Sequence, residues 1–235
     1  MELFLAFCLG AIAIGIASWL RTNYLGFPAQ APAEYDGAAP AFDIREALNG
    51  PLACEGVIFG PTGRVSSRFV AEFHAEWDGD KGRMTEHFRY DSGETQDREW
   101  RLTIEPSGNI RAEADDLVGV GRGRQAGPGV CLKYSIKLPE GAGGHVLDAI
   151  DWMYLVENGT IINRSQLRKC GLKVAELVGT IRPHEGSEAQ SEGGGGIGWA
   201  RGIGSWVHRR GGGAGARSVS RRRARGLLWA PGTLR

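Results

Sequence analysis

From Leu52 to Ile181 the chain runs in short stretches of alternating apolar and polar residues, each closed by a turn that carries glycine. Period-two alternation sends successive side chains to opposite faces of a strand, so each run presents one apolar face and one polar face. Over residues 65–77, Val65, Phe69, Ala71, Phe73, Ala75 and Trp77 share the apolar face, and Arg68, Glu72, His74 and Glu76 share the other. Roughly ten such strands follow one another, with little predicted helix between them. Open sheets of that many strands expose pairing edges that a closed sheet removes. The expected fold is therefore mainly β, an antiparallel up-and-down barrel, with a β-sandwich as the competing architecture. A barrel of this size either fills with side chains or encloses one small ligand.

The stretch Met84 to Trp100 gives the alternation a register. A three-residue loop Asp91-Ser92-Gly93, with Gly93 at positive φ, makes Tyr90 face Glu94, Phe88 face Gln96, Glu86 face Arg98 and Met84 face Trp100. All eight lie on one face, and Met84, Phe88, Tyr90 and Trp100 make it the apolar one. Glu86 and Arg98 are thus expected as a pair drawn into a nonpolar interior, holding either strand register or a ligand. Asn158-Gly159 signals a second hairpin. A two-residue loop there puts Leu155 opposite Ile162 and Met153 opposite Arg164, with Asp151 diagonal to Arg164. If that face is internal, Asp151 and Arg164 form a second interior acid-base pair. If Ile150, Trp152 and Tyr154 point inward instead, Asp151 is on the surface.

Charge and hydropathy divide the chain into four parts. Residues 3–20 are uncharged and long enough to cross a bilayer, and no basic residue precedes them, which favours an uncleaved anchor at 1–21 over a cleaved signal. Residues 22–41, rich in Pro, Ala and Gly, read as a linker. Residues 42–182 hold the barrel, opened by a short helical turn that Asp43 caps. Residues 183–235 have a Gly/Arg composition that supports no core and read as a disordered tail. Nine of the 28 Lys and Arg lie beyond Glu192, the last acidic residue, so residues 1–192 carry a formal −8 and the rest +9. That compositional break fits a shifted reading frame as well as a tail that meets anionic lipid or nucleic acid. The acidic barrel segment argues against nucleic acid as its own partner.

Other chemical signals are sparse. Cys8, Cys54, Cys131 and Cys170 have no zinc or iron–sulfur spacing; they read as unpaired thiols, with one disulfide among the last three as the alternative. His74, His87 and His145 lack metal-ligand spacing, so no metal or cofactor is expected. Asp115 and Asp116, adjacent on a strand, point to opposite faces and cannot chelate together. Gly119-Val120-Gly121-Arg122-Gly123 lacks the context of a phosphate loop and reads as part of a glycine-broken strand over 117–123. No nucleophile stands beside a base, which leaves a hydrolase or isomerase using Asp151 with Arg164 as the weakest of three readings.

Taken together, Arg68-Phe69, Trp77-Asp78-Gly79, Glu86-His87-Phe88-Arg89-Tyr90, Arg98-Glu99-Trp100, Asp115-Asp116, Asp151-Trp152-Met153-Tyr154 and Asn163-Arg164 resemble the bacterial envelope family catalogued as domain of unknown function 3833. The resemblance covers about 42–181 and implies a lipocalin-like domain outside the cytoplasm, with no established activity. Many members look like lipoproteins. This chain has no lipobox, so an uncleaved helix would replace the lipid. The expectation is a single-pass inner-membrane protein whose periplasmic barrel binds a lipid or other amphipathic molecule. The candidate ligand residues are Glu86, Phe88, Tyr90, Arg98, Trp100, Asp151, Trp152 and Arg164. The alternative is an envelope assembly module with a filled core and no small ligand.

Overall fold

The computed structural model describes residues 1–139 and 143–184, apart from the side chains of residues 22 and 23. The expected tail lies outside these residues from 185 onward, as do 141 and 142 of a glycine turn. Helix α1 (Glu2–Tyr24) contains a 20-residue apolar span, Glu2–Arg21, none of which is buried against the rest of the protein. It is apolar all round, which suits a lipid environment or a signal sequence.

Ten strands follow: β1 (Gly50–Phe59), β2 (Val65–Asp78), β3 (Lys81–Tyr90), β4 (Thr95–Ile104), β5 (Asn109–Glu113), β6 (Gly121–Ala126), β7 (Gly129–Lys137), β8 (Val146–Leu155), β9 (Ile161–Lys169) and β10 (Leu172–Pro183). Each pairs antiparallel with its sequence neighbours, and β1 pairs with β10 to close the barrel. The sandwich alternative is thereby excluded, and the expected up-and-down barrel is the observed one. The glycine-broken strand expected over 117–123 is shorter than predicted: Leu117 makes one isolated bridge to Ile136, and β6 begins only at Gly121.

Apolar faces fill the interior. Between Asp43 and the first strand, the one-turn helix α2 (Ile44–Ala47) plugs one end, burying Ile44 and Leu48. Asp43 caps it by accepting from the Arg45 backbone N–H at 2.9 Å, and the Trp77 indole donates to the Leu48 carbonyl at 2.7 Å. Desolvated apolar side chains stabilise a fold by about 25 cal/mol per Å². Here that gain spans the whole barrel, because the large interior cluster draws on strands from both sides of the closure.

The segment expected as a spacer is packed on the barrel wall. Two short 3-10 turns, Phe27–Ala29 and Pro32–Tyr35, cover the outer face of β7 and β8. Phe27 packs with Cys131 and the fully buried Trp152, and the Tyr35 ring lies 5.4 Å from that of Trp152. The Tyr154 hydroxyl donates to Gln30 Oε1 at 2.7 Å. Residues 27–35 thus form a strap that belongs to the folded unit.

Candidate functional site

The hairpin of β3 and β4 has the register expected of it. Met84 faces Trp100, Glu86 faces Arg98 and Phe88 faces Gln96. The Tyr90 N–H donates to the Glu94 carbonyl, and Gly93 has φ +87°. Met84, Glu86, Phe88, Tyr90, Gln96, Arg98 and Trp100 line an internal cavity of about 120 Å³. One side of it is aromatic: Phe88 packs edge-on against Phe69 and Phe73, with ring centroids at 5.4 and 5.5 Å, and stacks on Tyr90 at 6.1 Å.

Ionisable groups complete the lining, and their pairing differs from the expected one. Arg98 does not form an ion pair with Glu86; its Nε meets Asp116 Oδ2 at 2.9 Å. The guanidinium lies over the Trp100 ring at 4.0 Å and 5.7 Å from the centre of Tyr134. Glu86 stands next to this pair, 7 % exposed, with Oε2 lacking any hydrogen-bond partner. Burial pushes its carboxyl up to about 7, against the opposing charge of Arg98. Cross-strand position was inferred correctly, but opposite charges on facing residues do not dictate which carboxylate a long guanidinium selects. Asp116 comes from the loop after β5, and its position depends on tertiary structure.

The second expected pair is absent, because the register of β8 and β9 is shifted by one residue. The loop is the three-residue Glu157-Asn158-Gly159, with the Val156 N–H donating to the Thr160 carbonyl and Gly159 at φ +80°. Met153 therefore faces Asn163, and Trp152 faces Arg164. A one-residue shift sends every side chain of the second strand to the other face. Asp151 does point inward, where Oδ1 accepts from Asn163 Nδ2 at 2.6 Å and Ser165 Oγ at 2.5 Å; Oδ2 lies 3.5 Å from the Tyr134 hydroxyl. Burial raises this carboxyl above its ordinary range, with the Ser165 and Asn163 bonds opposing it. Arg164 lies outside, over the Phe27 ring at 4.6 Å and 2.6 Å from Glu176. Burial would raise Glu176, but Lys173, Arg164 and Gln166 donate to it and hold it down to about 2.

Of the eight candidate ligand residues, Glu86, Phe88, Tyr90, Arg98, Trp100 and Asp151 line the cavity, while Trp152 and Arg164 belong to the outer wall beneath the strap. The catalytic use of Asp151 with Arg164 is excluded by their opposite faces. Sequence reasoning missed Asp116, Tyr134, Asn163 and Ser165. Asp116 was legible in part: the opposed faces of Asp115 and Asp116 are observed, with Asp115 outside on Arg101 and Asp116 inside on Arg98. Asn163 and Ser165 become visible once the loop of the second hairpin is counted as three residues, whereas Tyr134 comes from β7, outside that hairpin. Among the described residues no group of three or more His, Cys, Asp and Glu is placed to hold a metal ion.

A family model described as Protein of unknown function (DUF3833) matches residues 22–183, a range that includes the strap. No curated protein sequence matches the chain. Solved structures similar to it include the S-type phycobiliprotein lyase CPES from Guillardia theta, at 8 % identity over 60 % of this chain and 90 % of that one, with TM-score 0.45. Rv2717c from M. tuberculosis is 17 % identical over 63 % and 99 %, with TM-score 0.43. A redesigned β-barrel, mFAP0, bound to DFHBI, is 9 % identical over 58 % and 98 %, with TM-score 0.34. At these TM-scores the similarities carry no argument about what the chain does.

Proposed function

The chain belongs to the family described as Protein of unknown function (DUF3833), and we propose that its barrel binds the polar end of a small lipid or other amphipathic molecule. The carrying observation is an interior space of about 120 Å³ lined by aromatic side chains together with Glu86, Arg98, Asp116 and Asp151. Ligand sites combine an apolar lining with a few convergent polar groups in this way. Size limits the reading. Drug-sized pockets run to about 300–1,000 Å³, whereas a cavity of about 150 Å³ takes benzene. The enclosed part of the ligand is then one ring or a short chain. A longer tail would displace the adaptable side chains of Met84 and Met153.

In this reading α1 anchors the protein in the inner membrane and the barrel faces the periplasm. Support comes from the uncharged run at 3–20 and the absence of buried contacts along the apolar span. Native mass spectrometry of the full-length protein, extracted from membranes in mild detergent, tests the binding. A small-molecule adduct released on collisional activation is expected. A bare chain that also fails to bind amphipathic probes would leave the interior as packing alone. The small volume favours that second reading, an assembly module with a filled core.

A further inference from the structure

The ionisable groups of the cavity are unequal in sign, and this points to the ligand's charge. Three carboxyls, Glu86, Asp116 and Asp151, share the interior with a single guanidinium, Arg98. Arg98 is committed to Asp116 and to the Trp100 face. That leaves Glu86 and Asp151 without a cation of their own among the described residues. Asp151 accepts from neutral donors only, Asn163, Ser165 and the Tyr134 hydroxyl. Glu86 Oε2 accepts from nothing, although the side chain is more than nine-tenths buried and lines the cavity. Buried polar atoms in native proteins nearly always have partners, and a buried carboxylate needs both a donor and a countercharge.

A primary ammonium supplies both, with three N–H donors and no acceptor to clash with a carboxylate. The rings of Phe88 and Tyr90 in the same lining also attract cations. A hydroxyl would supply a donor without a charge, and an anionic head would meet carboxyls of its own sign. We propose that the barrel interior selects a small organic cation, a primary amine with a short aliphatic or aromatic body, whose ammonium lies between Glu86 and Asp151. This rests on reading the cavity as a ligand site.

Proton linkage gives the inference a signature. The groups facing Glu86 are Arg98 from β4, Asp116 from the loop after β5, Tyr134 from β7, Asp151 from β8, Tyr90 from β3 and Cys54 from β1. With the cavity empty of cation, burial keeps Glu86 protonated up to about pH 7. An ammonium displaces that proton, so affinity falls about tenfold for each pH unit below 7.

The test uses the full-length protein in lipid nanodiscs, titrated by calorimetry with benzylamine, benzyl alcohol and benzoate, three probes sharing one body. Benzylamine is expected to bind at least tenfold more tightly than benzyl alcohol, with benzoate weakest, and to lose affinity from pH 8 to pH 6. Glu86→Gln should cut the preference for benzylamine at least tenfold and flatten the pH slope, leaving only the part that Asp151 supplies. If Glu86→Gln does not fold, the wild-type pH profile and Asp151→Asn carry the same test. Equal or tighter binding of the alcohol or the acid would overturn the amine and leave the ligand site standing. Failure of all three probes, with no adduct on the extracted protein, would remove the ligand site as well.

Discussion

Glu86 stands out at the scale of single residues because its surroundings oppose its charge. Its carboxyl is raised from 4.5 to about 7, on the order of 3 kcal/mol of differential stabilisation. The folded chain therefore holds a proton that the unfolded chain has released, and stability declines as pH rises from about 4.5 to about 7, then levels off. Glu86→Gln removes that titration. Its expected melting temperature, followed by near-ultraviolet circular dichroism in detergent micelles, exceeds that of the wild type at pH 8 and changes less between pH 5 and 8. A variant as pH-sensitive as the wild type would mean that Glu86 is ionised throughout. The inward position of Glu86 was legible from alternation. The unpartnered Oε2 was not, since that depends on Arg98 turning to Asp116, a residue placed by another segment.

At the scale of elements, two hairpins with the same loop length had different fates in the sequence reading. Asp91-Ser92-Gly93 and Glu157-Asn158-Gly159 both put glycine at positive φ in the third position. Asp-Ser-Gly reads as three residues. Asn-Gly alone is a strong two-residue signal, and a two-residue loop puts Arg164 on the face of Met153 and Asp151, whereas the three-residue loop puts it on the other. The strap was missed altogether. Pro, Ala and Gly in 22–41 suggest a linker, yet a few anchors, Phe27, Gln30 and Tyr35, suffice to dock it on β7 and β8. Phe27→Ala should destabilise the protein by about 3 kcal/mol, the usual size of a buried aromatic truncation, and expose Tyr35 to chymotrypsin while the far-ultraviolet spectrum keeps its β character. Gly127 adds a second lever. A Cβ there would stand 2.0 Å from the Tyr35 carbonyl oxygen, so Gly127→Ala should expose the same cleavage site without touching the interior. Unchanged resistance to protease in both variants would mean the strap is held by other contacts.

The whole molecule couples a closed barrel to an apolar helix. Since the apolar span of α1 makes no buried contact with the barrel, the two should separate cleanly. The intact protein is expected to stay in the membrane pellet through an alkaline carbonate wash. A chain lacking residues 2–21 is expected in the soluble fraction with its melting transition within a few degrees of the wild type. Retention of that shortened chain in the pellet would assign anchoring to another part of the protein. At this scale the division between sequence and structure is plain. Alternation, turn glycines and the uncharged run at 3–20 determined most of the strands, the inward face of the β3–β4 hairpin, the barrel class and the N-terminal helix, because each is a local pattern set by backbone geometry. Only the tertiary structure decided that Arg98 joins Asp116, that Arg164 lies outside, that residues 27–35 wrap the wall, and that the interior leaves about 120 Å³ beside Glu86. Those outcomes depend on groups distant in sequence competing for the same buried space, and on a one-residue choice of loop that reverses a strand's faces.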